Sequence, residues 1–276
     1  MNSRSMKNKF FLLAVMALFV FPVFANDSIS GLNVAEESKE LSEEGNQSSV
    51  VRKKSYFSAK LGYGIGGTMP FPLPAEMRSI NGFKPLCNFS IQGIYHRYFN
   101  DRAGLKVGVI LDRKGMVAEA TVKNYSMSIA DDEGGVVTGR WTGDVQMRAI
   151  QTSLTLPLAL SWNLSQSCNL DLGPYFAFLL SRDFSGEVCN GYLREGDPTG
   201  AKIEIGEEPQ TFDFSEDMRR FQWGISLGVD WAFYKKLGLF VDLNWGLNNL
   251  FQSDFETITF NMYPIYGVVG LSYSFF

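Results

Sequence analysis

The sequence predicts an eight-stranded antiparallel transmembrane β-barrel with short periplasmic turns and long extracellular loops. Three observations predict it: an N-terminal export signal, repeated apolar–polar alternation at period two, and connections that are alternately short and long. An exported chain without a long apolar helix can still enter a membrane as a closed barrel, because each barrel strand is apolar on one face only.

Composition excludes several function classes. The 276 residues are 45% hydrophobic and 14% aromatic, and 25 Lys and Arg against 29 Asp and Glu give a net charge of −4. Without a basic surplus to neutralise phosphates, nucleic acid is not an expected partner. A single histidine argues against a histidine-based metal centre.

Residues 1–25 have the pattern of a secretory signal peptide. Arg4 and Lys7 precede an apolar run over 10–25, and the small residues Val23 and Ala25 suit a cleavage site. The alternative is a membrane anchor, but the run of about 16 residues is shorter than a spanning helix prefers.

Residues 26–54 differ in composition and are predicted to be a flexible, acidic periplasmic linker. They contain five glutamates and no aromatic residue, so they lack apolar surface to offset the entropy of ordering. A short amphipathic helix around Val34–Leu41 is the alternative. Residues 55–276 then form the barrel.

Eight segments of the barrel alternate between an apolar and a small or polar face, as two-faced strands do. The alternation is clearest over 150–164, 221–233 and 237–247. It is weaker over 56–66, 104–112, 169–180 and 263–276, and least regular over 87–99.

The connections sort by length. They are short around 100–101, 165–167 and 234–236, and long over about 67–85, 116–146 and 183–217. This asymmetry is typical of outer-membrane barrels, and an even strand number places both chain ends on the periplasmic side.

The polar face distinguishes a membrane barrel from a soluble, lipocalin-like barrel. In the three clearest strands that face has nineteen residues, of which only Asp230 and Asp242 are charged. Small polar groups suit a narrow lumen, whereas a soluble barrel would direct many Lys and Glu to water.

Aromatic residues cluster at strand ends, as interfacial belts do: Trp162, Trp231, Phe233, Tyr273 and Phe275 near the lower interface, and Phe221, Trp223, Trp245 and Tyr263 near the upper one.

Charged residues on the polar face are expected inside the lumen, namely Lys60, Lys106, Asp171, Asp230 and Asp242, with His96. Opposite charges in a closed barrel must pair or be hydrated. The set predicts a network that fills the lumen; a proton or ion path is the alternative.

The chain resembles the PorT-like outer-membrane β-barrel family from 56 to 276. The similar segments, in order, are Leu61-Gly62-Tyr63-Gly64, Gly104-Leu105-Lys106-Val107-Gly108, Leu154-Thr155-Leu156-Pro157-Leu158, Gly173-Pro174-Tyr175 and Gly270-Leu271-Ser272-Tyr273-Ser274-Phe275. The named member of that family assists a protein-secretion system, so the resemblance implies a partner in secretion or envelope assembly. It also implies that the insertion machinery reads a C-terminal aromatic, Phe275 or Phe276.

No residue is assigned a catalytic, cofactor-binding or metal-binding role. A lipid-modifying enzyme needs a nucleophile tied to a base, and the sequence ties no Ser or Asp to His96. The acidic segment 131–135 is interpreted as a loop tip rather than a calcium site. Same-side placement in an oxidising compartment suggests a disulfide between Cys87 and Cys189.

The leading functional hypothesis is a non-enzymatic scaffold in the outer membrane that uses its long extracellular loops to contact a partner. The aromatic residues of those loops are expected at that contact: Trp141, Phe184, Phe212 and Phe214. The alternatives are a small, porin-like solute pore and a lipid-modifying enzyme. Outer-membrane lipid is the expected surrounding, and no cofactor is expected.

Overall fold

A computed structural model describes residues 55–130, 136–196, 199–206, 208–255, 257–258 and 260–275, and eleven strands lie in these ranges. They are β1 (Ser55–Pro70), β2 (Met77–Pro85), β3 (Phe89–Tyr98), β4 (Ala103–Ala130), β5 (Val136–Asn163), β6 (Cys168–Glu195), β7 (Lys202–Ile205), β8 (Gln210–Asp213), β9 (Phe221–Tyr234), β10 (Leu237–Gly246) and β11 (Met262–Phe275).

Eight of these strands close into a ring in which every neighbour is antiparallel. The order is β1, β3, β4, β5, β6, β9, β10 and β11, and β11 pairs back onto β1. The closing register runs from Phe57 opposite Phe275 to Pro70 opposite Met262. The predicted fold class is confirmed, and each ring strand contains most of one predicted segment.

Alternation sorts side chains between the two faces of the ring. Large apolar residues on the outer face remain substantially exposed, among them Leu61, Leu154, Leu227, Leu239 and Leu271. Of the predicted interfacial aromatics, all except Tyr263 are exposed by more than a third, and they lie toward the ends of outward-facing rows. This apolar exterior is the surface that hydrocarbon requires.

Local polar contacts close two of the three short turns, and a left-handed residue reverses the third. Asn100 Oδ1 accepts hydrogen bonds from the backbone N–H groups of Arg102 and Ala103, at 2.9 and 2.7 Å. Ser165 Oγ does the same for Ser167 and Cys168. Between β9 and β10, Lys235 has a φ of 41°, which lets the chain reverse tightly. All three turns lie where the sequence predicts short connections.

The prediction that these three long segments are loops is largely wrong. β4, β5 and β6 each run for 28 residues, so most of 116–146 and the start of 183–217 continue the barrel strands. β2 pairs with the extended part of β4, and β7 and β8 pair with the extended part of β6. Irregularities in register interrupt the period of two, including one between Val122 and Tyr125 where Asn124 has a φ of 60°, which hides these extensions in the sequence.

Several predictions fall outside the described residues. These are the signal peptide, the acidic linker with its alternative helix, the acidic segment 131–135, and Phe276. Within the described part of the chain, we find no helix of sufficient length and apolarity to span a membrane.

The disulfide suggested for Cys87 and Cys189 is not present, since both are free thiols. Cys87 lies near Gly115, whose carbonyl accepts a hydrogen bond from Leu86, whereas Cys189 lies opposite Asp144, which pairs with Thr121. Six residues of β4 separate the two levels, roughly 20 Å at strand rise, far beyond disulfide reach. Burial and the nearby Asp144 carboxylate raise the pKa of the Cys189 thiol.

Leu227 provides a test of the outward face, because it lies mid-strand opposite Leu243 and Leu172. We expect Leu227→Arg to lower the free energy of unfolding by about 2–4 kcal/mol, the cost of a cation near the bilayer midplane. Denaturant titration in phospholipid vesicles, followed by tryptophan fluorescence, measures it. Thr211→Arg, on exposed β8, should change the value little; equal losses would contradict the assigned faces.

Candidate functional site

The lumen contains a network of buried ion pairs. Lys60 Nζ lies 2.6 and 2.7 Å from the two carboxylate oxygens of Asp230, and Lys114 Nζ lies 3.3 Å from Asp112 Oδ2. These residues come from strands β1, β9 and β4. The Lys60–Asp230 pair therefore connects two walls of the barrel that are far apart in the chain, whereas the Lys114–Asp112 pair lies within one strand.

Lys106 lies at the centre of this network. Its Nζ is 3.0 Å from Asp171 Oδ2 and 3.5 Å from Asp242 Oδ1, and all three side chains are at most 4% exposed. Gln92 donates a hydrogen bond to the second oxygen of Asp242, and Ser161 donates one to Asp171. Gly228 makes room for this cluster, since a Cβ there would lie 2.4 Å from Asp242 Oδ1.

All six residues predicted for the lumen lie in it. Sequence reasoning missed the Asp112–Lys114 pair, although both residues continue the polar face of their strand. It also missed the contact between Gln222 Nε2 and Gln151 Oε1, which spans 3.1 Å. Partners on different strands depend on barrel stagger, which one sequence does not specify.

Above the ion pairs, the strand extensions and the segments around β8 and after β10 form a second core, here called the cap. Its buried side chains are Met116, Val122, Met127, Trp141, Ala149, Leu179, Phe184, Val188, Leu193, Phe212, Phe214, Met218, Leu250, Phe251, Ile258 and Met262. Phe184 packs edge-on against Phe251, with ring centroids 4.9 Å apart. Arg182 fixes the segment after β8 through the Met218 carbonyl and the Glu216 carboxylate.

The expected role at a partner contact is wrong for Trp141 and Phe184, two of the four loop aromatics. Trp141 and Phe184 are at most 1% exposed, and Phe212 and Phe214 are 7% exposed. Trp141 and Phe184 therefore cannot contact a partner directly, whereas Phe212 and Phe214 keep a small accessible surface in the wall of the groove described next. These aromatics were expected at the surface because the segments that carry them were interpreted as loops rather than as strands around a core.

The cap carries a groove of about 760 Å³, a size within the range of ligand sites. Strands β4, β5, β6 and β8 line it, and β8 comes close to β4 although two strands separate them. One row across the sheet consists of Val117, Arg148, Ser185 and Asp213, and the next row on the same face, two positions further along the strands, contains Gln146, Glu187 and Thr211. Arg148 is half-exposed, with Nε 4.0 Å from Asp183 Oδ2.

The described residues do not assemble a nucleophile or a metal centre. Ser58 Oγ and His96 Nδ1 are both buried, and neither has a hydrogen-bond partner within the described chain. The His96 ring instead stacks on Tyr56, with centroids 4.6 Å apart. Among the placed residues, no group of three His, Cys, Asp or Glu side chains could hold a metal ion.

The family comparison decides the class of protein. The model of the outer membrane protein beta-barrel domain matches residues 41–252, well over half of the chain. The chain belongs to this family. It is therefore an outer-membrane β-barrel, and the predicted location in the outer membrane is confirmed. No curated protein matches the chain.

Several solved structures align over most of this barrel at low identity. Ail of Yersinia pestis, in complex with sucrose octasulfate, is 10% identical with a TM-score of 0.31, covering 81% of this chain and 100% of Ail. CarO2 of Acinetobacter baumannii is 12% identical at 0.36, covering 80% and 99%. OprG of Pseudomonas aeruginosa is 11% identical at 0.31, covering 81% and 97%. The assignment rests on the family match and the strand register.

Removal of the central lysine should destabilise this outer-membrane barrel strongly. Lys106→Met leaves two buried carboxylates without their shared cation, and we expect a loss of about 3–5 kcal/mol. Lys84→Met breaks an exposed pair with Glu119 and should cost at most about 1 kcal/mol. Denaturant titration of both variants checks this, and similar losses would show that the lumen network contributes little.

The cap core gives a separate prediction. Phe184→Ala should destabilise the cap by about 3–5 kcal/mol, because it opens a cavity among packed aromatics. We expect faster protease cleavage of the cap while the barrel keeps its folded mobility in unheated gels. Phe178→Ala removes a half-exposed outward phenylalanine from the same strand, and equal protease sensitivity in that control would refute the cap.

Proposed function

We propose that this outer-membrane barrel is a non-enzymatic scaffold that presents its cap to a protein partner at the cell surface. The barrel class comes from the family, and the scaffold role is the inference. The observation that carries it is the continuity of β4, β5 and β6, which run unbroken from the barrel wall into the cap. A surface built on such strands keeps a fixed shape, which reduces the entropy lost on binding.

We place the partner contact at the polar side chains of the cap groove rather than at the enclosed Trp141 and Phe184. Phe212 and Phe214 form part of the groove wall. The groove offers an arginine, two carboxylates, an amide and two hydroxyl groups beside apolar surface, a mixture suited to a polypeptide partner. The resemblance to PorT-like barrels motivates the finer proposal that this partner belongs to a secretion or envelope-assembly system. A C-terminal aromatic that guides barrel insertion is part of the same proposal: Phe275 is outward-facing and half-exposed.

The two alternatives have less support. A solute pore would need a continuous aqueous path, whereas the described lumen is crossed by ion pairs and lies beneath an apolar core. A lipid-modifying enzyme would need an organised nucleophile and base, and His96 has no such partner in the described chain.

Site-specific photo-crosslinking in living cells tests the scaffold. A photoreactive residue at Gln146 or Thr211, both lining the groove, should capture a discrete protein partner. The same residue at Leu61, which faces outward from β1, should label lipid or only the insertion machinery. Identical products from groove and control positions, or none from the groove, would contradict the proposal.

Planar-bilayer recordings test the absence of conduction. The purified barrel should give no stepwise current, because the buried pairs and the cap core cross the lumen formed by the described residues. The double variant Lys106→Met with Phe184→Ala, in refolded protein, weakens both the ion-pair network and the cap core. Current steps from this variant alone would show that these two barriers close the lumen. Regular current steps from the unmodified protein would favour the pore.

A further inference from the structure

The connection between β1 and β2 carries a run of apolar residues that the scaffold role does not use. Residues 69–75, here called the apolar connection, read Met-Pro-Phe-Pro-Leu-Pro-Ala, and a charged side chain returns only at Glu76. Met69, Phe71 and Leu73 are 41%, 55% and 60% exposed. A continuous run of exposed apolar side chains marks a surface that contacts another molecule or a membrane.

Phe71 shows which side of the barrel wall this segment covers. Its ring meets the ring of Trp245 edge-on, with centroids 6.0 Å apart. Trp245 lies on the outward face of β10 and belongs to the aromatic residues near the upper interface. In the ring of strands, β11 lies between β1 and β10. The chain that leaves β1 at Pro70 must therefore lean across the outer side of β11 to bring Phe71 onto Trp245.

Prolines make the backbone of the apolar connection compatible with a membrane interface. Pro70, Pro72 and Pro74 have no backbone N–H, so every second residue here lacks a donor that would need a partner. The carbonyl of Pro74 accepts a hydrogen bond from the Met77 N–H at 3.2 Å. Unsatisfied backbone groups are costly in hydrocarbon, whereas apolar segments can lie at the boundary between headgroups and acyl chains. The segment therefore suits that boundary rather than the centre of the bilayer.

Two features favour lipid over a protein as the molecule that covers the apolar connection. The contact with Trp245 makes the segment continuous with the lipid-facing surface of the barrel. In addition, residues 69–75 contain no polar or charged side chain that could select a protein partner by hydrogen bonding or charge. The cap groove offers such side chains, so the two surfaces differ in the chemistry that they can recognise.

We propose that the apolar connection is an anchor that inserts into the outer leaflet and contacts lipid acyl chains just below the headgroups. Phe71 and Leu73 are the side chains that enter this boundary, and the Trp245 ring holds Phe71 in place. The anchor leads directly into β2, which pairs with the extended part of β4. It therefore ties one edge of the cap to the membrane surface, whether or not the cap binds a protein.

Fluorescence quenching by brominated lipid tests the anchor. Leu73→Cys is labelled with bimane in a mature chain that also carries Cys87→Ser, Cys168→Ser and Cys189→Ser, and the protein is reconstituted in phosphatidylcholine nanodiscs. Bromine near the headgroup should quench this probe at least about twofold more strongly than bromine near the chain end, because an interfacial segment lies only about 5–10 Å deep. Mobility in unheated gels checks that each variant is folded.

Two control positions complete the experiment. A probe at Leu61→Cys, on the outward face of β1, should be quenched by both lipids, whereas one at Ile203→Cys, an exposed apolar position on β7, should be quenched by neither. Adding Phe71→Ser should lower the quenching at Leu73, because the contact with Trp245 is lost. Quenching at Leu73 no stronger than at Ile203 overturns the proposal. Capture of a discrete protein by a photoreactive residue at Leu73 in living cells would overturn it as well.

Discussion

The structure depends on one constraint: backbone amides that lie in hydrocarbon must hydrogen-bond to a neighbouring strand, because no water is available there. Pairing of β11 with β1 satisfies it by leaving the ring without an edge. Closure also makes alternation strict, since a slip of one residue would turn every side chain to the opposite face. Leu61 faces lipid and Lys60 faces the lumen for that single reason.

Closure of the ring places charged side chains in the lumen, where they must find partners. Three lysines, Lys60, Lys106 and Lys114, meet four aspartates, so the carboxylates exceed the ammonium groups. The excess lies at Lys106, and neutral donors from Gln92 and Ser161 stabilise the two carboxylates there. Replacing a partner in such a network is costly because the remaining charge stays buried. The network therefore links strands that face each other across the lumen.

The sequence predicted the strands correctly wherever one face of the strand faces lipid. Trp223, Ile225 and Leu227 are bulky because hydrocarbon requires it, so period two is easy to recognise there. The alternation was not recognisable above the membrane, because the outer face there meets water. Irregularities in register also shift the alternation by one residue. Met116 and Tyr125 therefore both face the cap core, although they are separated by an odd number of positions in the sequence. Partners across the lumen, such as Gln151 and Gln222, were also not predictable, since barrel stagger brings them together.

Water above the membrane relaxes the constraint on strand edges, and this bears on function. Among the described strands, β2, β7 and β8 each pair with one strand only, and all three lie in the extensions. Exposed edges are tolerated where backbone groups can be hydrated, and they are also surfaces that another chain can recognise. The barrel wall offers lipid an apolar surface and no free edge. The distinctive shape and polarity of the outer surface lie on the cap, which is why the proposed partner contact is placed there.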